Sequence, residues 1–571
     1  MRSVLAAALA GTLAIGCSEA PVGRAVEADA TTRVYVAAGV RTMDPARPQA
    51  TAVAVADGRV VAVGDLDSVR ERIGDDFELD RRFADLILMP GFIEPHLHPY
   101  LAGVLLPMEF ITPHDWSLPG RQVAGVRGRD GYLVRLAAHE ASLADGEWLW
   151  TWGFHHYFHG RLSRADLDAI SAERPMVVWH RSFHEVILNS AAIAALEFDD
   201  SVDEHPNVNL ADGHFYETGL GAAIAKLSPY LFDPERYGRA LDEAREIIHR
   251  GGITTVSDGA FGLVDLELEL GFLERGGWGG DETPFRMILM PDGRVEGSTA
   301  PEASLALIET LPARSTDRLR FPKSVKLFAD GAAYSQLMRL RDGYLDGHHG
   351  EWLMTPEELE EAARVFWNAG YQIHVHVNGD LGLEKVLDVL EKLQTENPRD
   401  DHRFTLHHFM IAGLDQIPRI AELGAMVSAN PFYIWALADK YAEVGLGPER
   451  AALTVPAGSV VEAGIPLSFH SDFTMAPAQP LVLAWAAASR LTADGNRPGP
   501  EQRISVQEAM EAITTDAAFQ LRMEDEIGSI EVGKRADFTV LDTDPFEVPV
   551  DELRNIQIWG TVYEGRPYPV D

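Results

Sequence analysis

Short apolar runs recur through the middle of the chain, and stretches with helical spacing of apolar positions lie between them. The runs at 86–89, 252–257, 286–290, 324–328, 372–377, 404–408, 425–429 and 466–470 read as buried strands. Segments 234–250, 356–369, 381–394 and 413–423 read as amphipathic helices. Pro234 suits the first turn of its helix, where a missing N–H costs nothing. This alternation predicts a parallel α/β architecture, and about eight such units favour a closed (β/α)8 TIM barrel over an open sheet. No nucleotide-binding glycine signature opens the first unit.

The two ends of the chain are patterned differently. Segment 32–63 holds three short β-rich runs, RVYVAAG, TAVAVADG and RVVAVG, with Asp57-Gly58 as a hairpin signal. Similar runs lie at 528–533, 536–541 and 556–565. Segments 32–85 and 523–571 are therefore expected to pair into one small β-sandwich domain beside a barrel of 86–522. Within the barrel, 105–227 is too long for a single crossover. It is rich in aromatics, with Trp148, Trp150 and Trp152 alternating, and is expected to form an insertion over the barrel mouth.

Composition adds little to the fold but bounds the partners. A chain of 571 residues, 46% hydrophobic and 24% charged, can bury a large core. Its 87 acidic against 49 basic residues give a net charge of −38, which argues against nucleic acid or an anionic lipid surface as main partner. At the N-terminus, Arg2, the apolar run 4–15, Gly16 and Cys17 resemble a bacterial lipoprotein signal; an ordinary secretory signal is the alternative. In that reading 1–17 is the signal segment with Cys17 acylated, and 18–31 is a tether. The protein is expected to be exported, periplasmic and held at a bacterial membrane by its lipid alone. Cys17 is the sole cysteine, so no disulfide is expected.

Candidate chemistry begins at LILMPGFIEPHLHP. His96 and His98 are one residue apart, so at a strand end they face the same way. In a chain with 20 histidines the tripeptide alone says little. Its company says more: Lys326 in SVKLFADG, His376 in IHVHVNGD, His408 in FTLHHFM and Asp472 in LSFHSDF each stand where a predicted strand ends. Barrel sites are built at the C-terminal ends of strands, so these groups would converge.

In order, PGFIEPHLH, VKLFADG, HVHVNGD, the HH strand and SFHSD resemble the amidohydrolase superfamily. The similarity is to the amidohydrolase-3 type, which includes N-substituted formamide deformylase-like enzymes. It extends to RPMVVWHRSFHEVILNSAAI, ITTVSDG and GSIEVGKRADFTVLD. The resemblance implies a (β/α)8 barrel with a β-sandwich from both chain ends. It implies that His96 and His98 bind one metal, that His376 and His408 bind a second, and that an N-carboxylated Lys326 bridges them. Asp472 would ligate the first metal and move protons. A lysine ammonium has no lone pair to offer, whereas its carbamate is an anion with two oxygens. The alternative is a plain ammonium paired with Asp330 and a single metal. Two divalent ions are expected, zinc first, with manganese, iron or nickel as alternatives. The expected reaction is attack of a metal-activated hydroxide on a small amide, formamide or cyclic amide, with Asp472 passing the proton to the leaving nitrogen.

Four residues depart from that pattern. Glu94 stands in place of Asp, His407 of Glu, His470 of Gly and Asn430 of Gln. His407 and His470 are expected as hydrogen-bonding neighbours of the ligands, placed to tune substrate choice. His184 is expected to face substrate, and Glu217 to lie in the pocket or on the surface. His374 should face the same way as His376. His155, His156 and His159 are expected on a solvated loop or pocket rim. Three rival functions remain at this point: an esterase, a one-metal deaminase that would not need Lys326, and a non-catalytic periplasmic binding lipoprotein.

Overall fold

The computed structural model describes residues 32–263, 265–294 and 300–570. The expected signal segment with Cys17 and the tether lie outside the described residues. Both chain ends pair, through Arg33–Arg41, Gln49–Ala56, Arg59–Gly64 and Glu78–Pro90 from one end and Phe538–Leu541, Ile558–Tyr563 and Arg566–Pro569 from the other. Hydrogen bonds join them in one continuous seven-stranded sheet. Its edge curls back on itself: Val60 N–H reaches Lys534 C=O at 2.9 Å, and Ala536 N–H reaches Gly58 C=O at 2.8 Å. Tyr35, Val53, Phe83, Leu88, Phe538 and Val562 fill the curl. Asp57 (φ 50°) and Gly58 (φ 70°) make the expected tight hairpin turn.

The central strands are β1 Phe92–Leu97, β2 Ile253–Phe261, β3 Arg286–Pro291, β4 Ser324–Phe328, β5 Gln372–Val377, β6 Thr405–His408, β7 Met426–Ala429 and β8 Leu467–Phe469. They pair in parallel as two arcs, β1-β2-β3 with the short Leu319–Arg320, and β4 to β8. A parallel bridge between Asp292 and Lys326 joins β3 to β4. Beyond β8, Asp472 N–H donates to His96 C=O (3.1 Å), and His98 N–H to Phe473 C=O (3.0 Å). The fold is a TIM-barrel-type α/β arrangement.

One expected strand was misplaced. Residues 86–89 belong to Glu78–Pro90 of the terminal sheet, and the first central strand is the next segment, Phe92–Leu97. The chain changes sheet at Gly91, whose N–H goes to Asp537 C=O at 2.9 Å. Arg286 of β3, fully buried, ties the two parts together by donating to Asp537 Oδ2 at 2.6 Å.

Within 105–227 lies a six-stranded sheet built from Glu109–Phe110, Leu149–Phe154, Met176–His180, Glu185–Leu188, Val208–Asn209 and His214–Tyr216. Tyr132, Leu136, Leu149, Phe154, Leu167, Val178 and Ile187 form its own small core. Trp148 and Trp150 stack with each other and around Tyr230, while Trp152 is buried against Phe110 and Trp116. Among the described residues, no helix is long and apolar enough to cross a membrane.

Candidate metal centre

His96 ends β1 as a fully buried residue, and His98 begins the next helix, Pro99–Leu105. Gly259 of β2 leaves the space His96 occupies: a Cβ there would lie 1.7 Å from His96 Nδ1. Asp472, just past β8, closes the group. Its Oδ1 lies 3.3 Å from His96 Nε2 and 3.2 Å from His98 Nε2, and its Oδ2 lies 3.7 Å from His408 Nδ1. His98 Nδ1 lies 3.4 Å from Asp258 Oδ1. Burial pulls His98 down, but Asp258 and Asp472 outweigh it and lift the ring to about 9. The pair of carboxylates thus favours positive charge at His98, as a divalent cation would find.

A second group sits alongside. Lys326 Nζ, buried on β4, lies 3.2 Å from His407 Nδ1 and 3.5 Å from His408 Nε2. Burial pushes its amine down to about 7. His376 packs its ring 4.3 Å from that of His408, and its Nε2 accepts a hydrogen bond from the Asn378 amide at 2.9 Å. Asp330 is not the partner of Lys326; it accepts N–H groups from Asn378, Gly379 and Arg339 instead. Burial holds His96, His376 and His408 well below the usual imidazole range, which leaves neutral rings with lone pairs to donate.

The structure brings one donor atom each of His96, His98 and Asp472 within 4.8 Å, and likewise of His96, His408 and His470. His376 and Lys326 flank these sets rather than completing them. His470, expected only as a neighbour, stands among the donors, with Nε2 3.2 Å from His408 Nδ1 and Nδ1 3.0 Å from Ser428 Oγ. His407 lies beneath, with Nδ1 3.1 Å from His96 Nδ1 and Nε2 3.0 Å from His374 Nδ1 and 3.2 Å from the Gln520 amide. His374 therefore faces inward, as expected, but pairs with His407. Glu94 is fully buried; it accepts Ser471 N–H at 2.8 Å, and burial pushes its carboxyl up to about 8. Asn430 donates to Ser471 C=O at 3.0 Å and so braces the same loop. His408 (φ 72°) and Asp472 (φ 55°) are both in the left-handed region, a backbone cost characteristic of functional sites.

His184 and Glu217 form a pair, Nδ1 to Oε2 at 2.7 Å. Glu217 is buried, not on the surface, and His184 has its ring 6.1 Å from that of His376. Burial lowers His184, but Glu217 outweighs it and raises the ring. Sequence reasoning missed Arg181 and Asp258. Arg181 is buried among Trp116, Trp152 and Tyr334 and donates to the carbonyl of Met475 beyond Asp472. Asp258 had a usable signal, since it directly follows the strand-forming run ITTVS and lies toward the C-terminal end of its strand. His155, His156 and His159 are a correction: His155 and His159 are buried and His156 is half-buried, because the insertion folds over them.

A divalent metal fits this donor set. His96 Nε2 is buried without a hydrogen-bond partner, neutral imidazoles and a carboxylate surround it, and both suit zinc-like ions. Fold and site together define a metal-dependent hydrolase of TIM-barrel type. Residues 84–568 match the amidohydrolase family, and the chain belongs to that family, enzymes acting on carbon–nitrogen bonds other than peptide bonds. The chain is similar to the N-substituted formamide deformylase of Arthrobacter pascens, 27% identical over 93% of this chain and 97% of that one. It is also similar to the putative amidohydrolase YtcJ of Bacillus subtilis, 25% identical over 90% and 95%. An uncharacterised metal-dependent hydrolase from Pyrococcus horikoshii shares the fold, with TM-score 0.69 and 21% identity over 91% of this chain and 99% of that one.

Proposed function

We propose that this centre hydrolyses a small amide, formamide or cyclic amide, using two divalent ions held by His96, His98, His376, His408, Asp472 and an N-carboxylated Lys326. The observation that carries the reading is Asp472, whose two oxygens face His96 and His98 on one side and His408 on the other. Similarity to a formamide deformylase favours N-substituted formamides among the candidates.

Bound ions of this kind acidify a water and polarise a carbonyl. In this reading Asp472 takes the proton of the attacking water and returns it to the leaving nitrogen. Glu217 accepts from His184 Nδ1–H and favours the protonated ring, and the imidazolium so formed would donate its Nε2–H to the developing oxyanion. Lys326 contributes through its low basicity. Near pH 7 much of it is a neutral amine, the form that takes up carbon dioxide: a C–N bond forms, one proton leaves, and an anion results. In this reading the protein is exported and lipid-anchored through Cys17.

The test pairs metal analysis with a hydrolysis screen on N-acyl amines, N-substituted formamides, esters and ring deaminations. About two ions per chain are expected at the barrel centre, with at least one lost in Lys326→Ala. A single tight ion unaffected by that change refutes the bridged site. Full metal content without turnover on any substrate class favours the binding lipoprotein instead.

A further inference from the structure

Three more histidines meet outside the barrel centre. His155 and His156 follow the strand Leu149–Phe154, and His180 ends Met176–His180. Their ring centroids form a nearly equilateral triangle, 5.3 Å for His155–His180 and 5.7 Å for both other sides. Three imidazoles on one tetrahedral zinc, with Zn–N near 2 Å, place their centroids about 5 Å apart. The rings already stand at that spacing. One nitrogen from each lies within 4.8 Å of the other two, so rotation of the rings completes the approach.

The surroundings of His180 resemble those of a ligand. Its Nδ1 accepts Ser182 N–H at 3.2 Å and lies 2.9 Å from Ser182 Oγ and 3.6 Å from Glu185 Oε1, and its Nε2 is buried without a hydrogen-bond partner. Ligation through Nε2 would put the ring proton on Nδ1 and exchange the Ser182 N–H contact for donation to the hydroxyl or the carboxylate. A metal-bound histidine hands its other N–H to just such a hydroxyl or carboxylate. Glu185 accepts from His214 Nε2 at 2.7 Å through one oxygen, and its other oxygen is buried without a partner. His155 Nδ1 now accepts Tyr157 N–H at 3.2 Å, and its Nε2 lies 3.3 Å from the Gln336 amide. Ligation through Nε2 would put the ring proton on Nδ1, so loading exchanges that helix cap for a metal bond. The hydrolytic centre uses none of these groups.

We propose that His155, His156 and His180 form a further metal site, for a borderline divalent ion such as zinc, with Glu185 supplying the nearby negative charge. It lies where the insertion meets the barrel: Gln336, in the loop beyond β4, and Tyr441 both pack against His155. Its role is to fasten the insertion over the mouth.

The test is zinc stoichiometry on the full chain, apo protein being titrated with zinc against a chromogenic chelator. The wild type is compared with His156→Ala and His180→Gln, their folds checked by circular dichroism. His156 is only half-buried, so its removal leaves the fold least disturbed. Each variant is expected to bind about one equivalent less than the wild type. In a Lys326→Ala/Asp472→Ala background, which disables the barrel centre, one equivalent should persist and vanish on adding His156→Ala. That result stands even if the barrel centre proves to hold no metal. Equal stoichiometry in the wild type and both folded variants overturns the proposal.

Discussion

Asp330 offers the sharpest test of how the site is held. Its carboxylate, fully buried, accepts Asn378 N–H through Oδ1 and Gly379 and Arg339 N–H through Oδ2, all at 2.9 Å. Asn378 in turn donates to His376 Nε2, so Asp330 sets the position of a proposed ligand at one remove. Asp330→Ala leaves three donors unpaired, those of Asn378 and Gly379 buried and that of Arg339 part-buried. At roughly 1–3 kcal/mol each, reduced where water enters, the loss is about 3–6 kcal/mol, much of a typical folding stability. The cost falls locally, on the loop from His376 to the helix Asp380–Glu396. Asp330→Asn can keep its oxygen on Gly379 and Arg339 N–H but turns its N–H2 group toward Asn378 N–H, so it should recover part of the loss and leave the Asn378 amide unpaired. Hydrogen exchange of peptides spanning 372–382 is the assay. Protection of the Asn378 and Gly379 amides should fall by about 10²- to 10⁴-fold, with kcat reduced at matched metal content. Protection within threefold of the wild type would falsify the assignment.

Three other expectations follow from the same geometry. Arg286→Met strands the buried Asp537 and should cost about 3–5 kcal/mol in denaturant unfolding; adding Asp537→Leu should restore part of it, and no recovery would mean the pair is not coupled. In metal-free protein, burial holds Lys326 near 7 against 10.5 when unfolded, so the unfolded chain binds the extra proton between those values. The contribution of Lys326 to stability should therefore rise with pH across that window by up to about 1.4 kcal/mol per unit, against the falling contributions of His98 and Glu94, and it is read as the difference in slope between the wild type and Lys326→Met. His407→Ala removes the neighbour of both Lys326 and His96 and should weaken metal affinity about 10- to 100-fold by chelator competition; an unchanged affinity would reduce His407 to packing.

Legibility followed burial chemistry. Strands β2 to β8 were found within a few residues because each is a short buried segment, mostly apolar or β-branched, set between helical stretches in a parallel arrangement. Strand β1 was not, and the reason is its function. FIEPHL is buried at every position, yet Glu94, Pro95 and His96 break the apolar run that marks such strands. The preceding LILMP looked like the barrel strand because it ends a 13-residue strand of the terminal sheet. The helix Ile417–Glu422 is shorter than its apolar spacing suggested, and only Ile417 and Ile420 are buried in it.

Of the six residues expected to meet, the structure brings His96, His98, His408 and Asp472 into two donor sets, with Lys326 and His376 beside them. What escaped was anything decided by lateral neighbours. Asp330 lies near Lys326 in sequence, but beyond β4 the chain turns away and the carboxylate meets three amides. His470 enters the donor set because the pairing of Asp472 N–H with His96 C=O brings β8 against β1, a register no single segment encodes. The exchange of Glu for His at 407 has a further consequence. Relative to the Glu that the resemblance leads one to expect there, it is one negative charge fewer beside a centre proposed to hold two dications, with Asp472, Asp258 and Asp292 among the carboxylates nearby. The proposed carboxylation of Lys326 would then change the local charge by one unit from the neutral amine and by two from the ammonium. At about 4 Å and an effective dielectric near 20, each unit is worth about 4 kcal/mol per ionic charge. Metal retention here should accordingly depend on Lys326 more steeply than in a His407→Glu variant, where the restored carboxylate shares the load, and equal dependence in the two proteins would break this chain of reasoning.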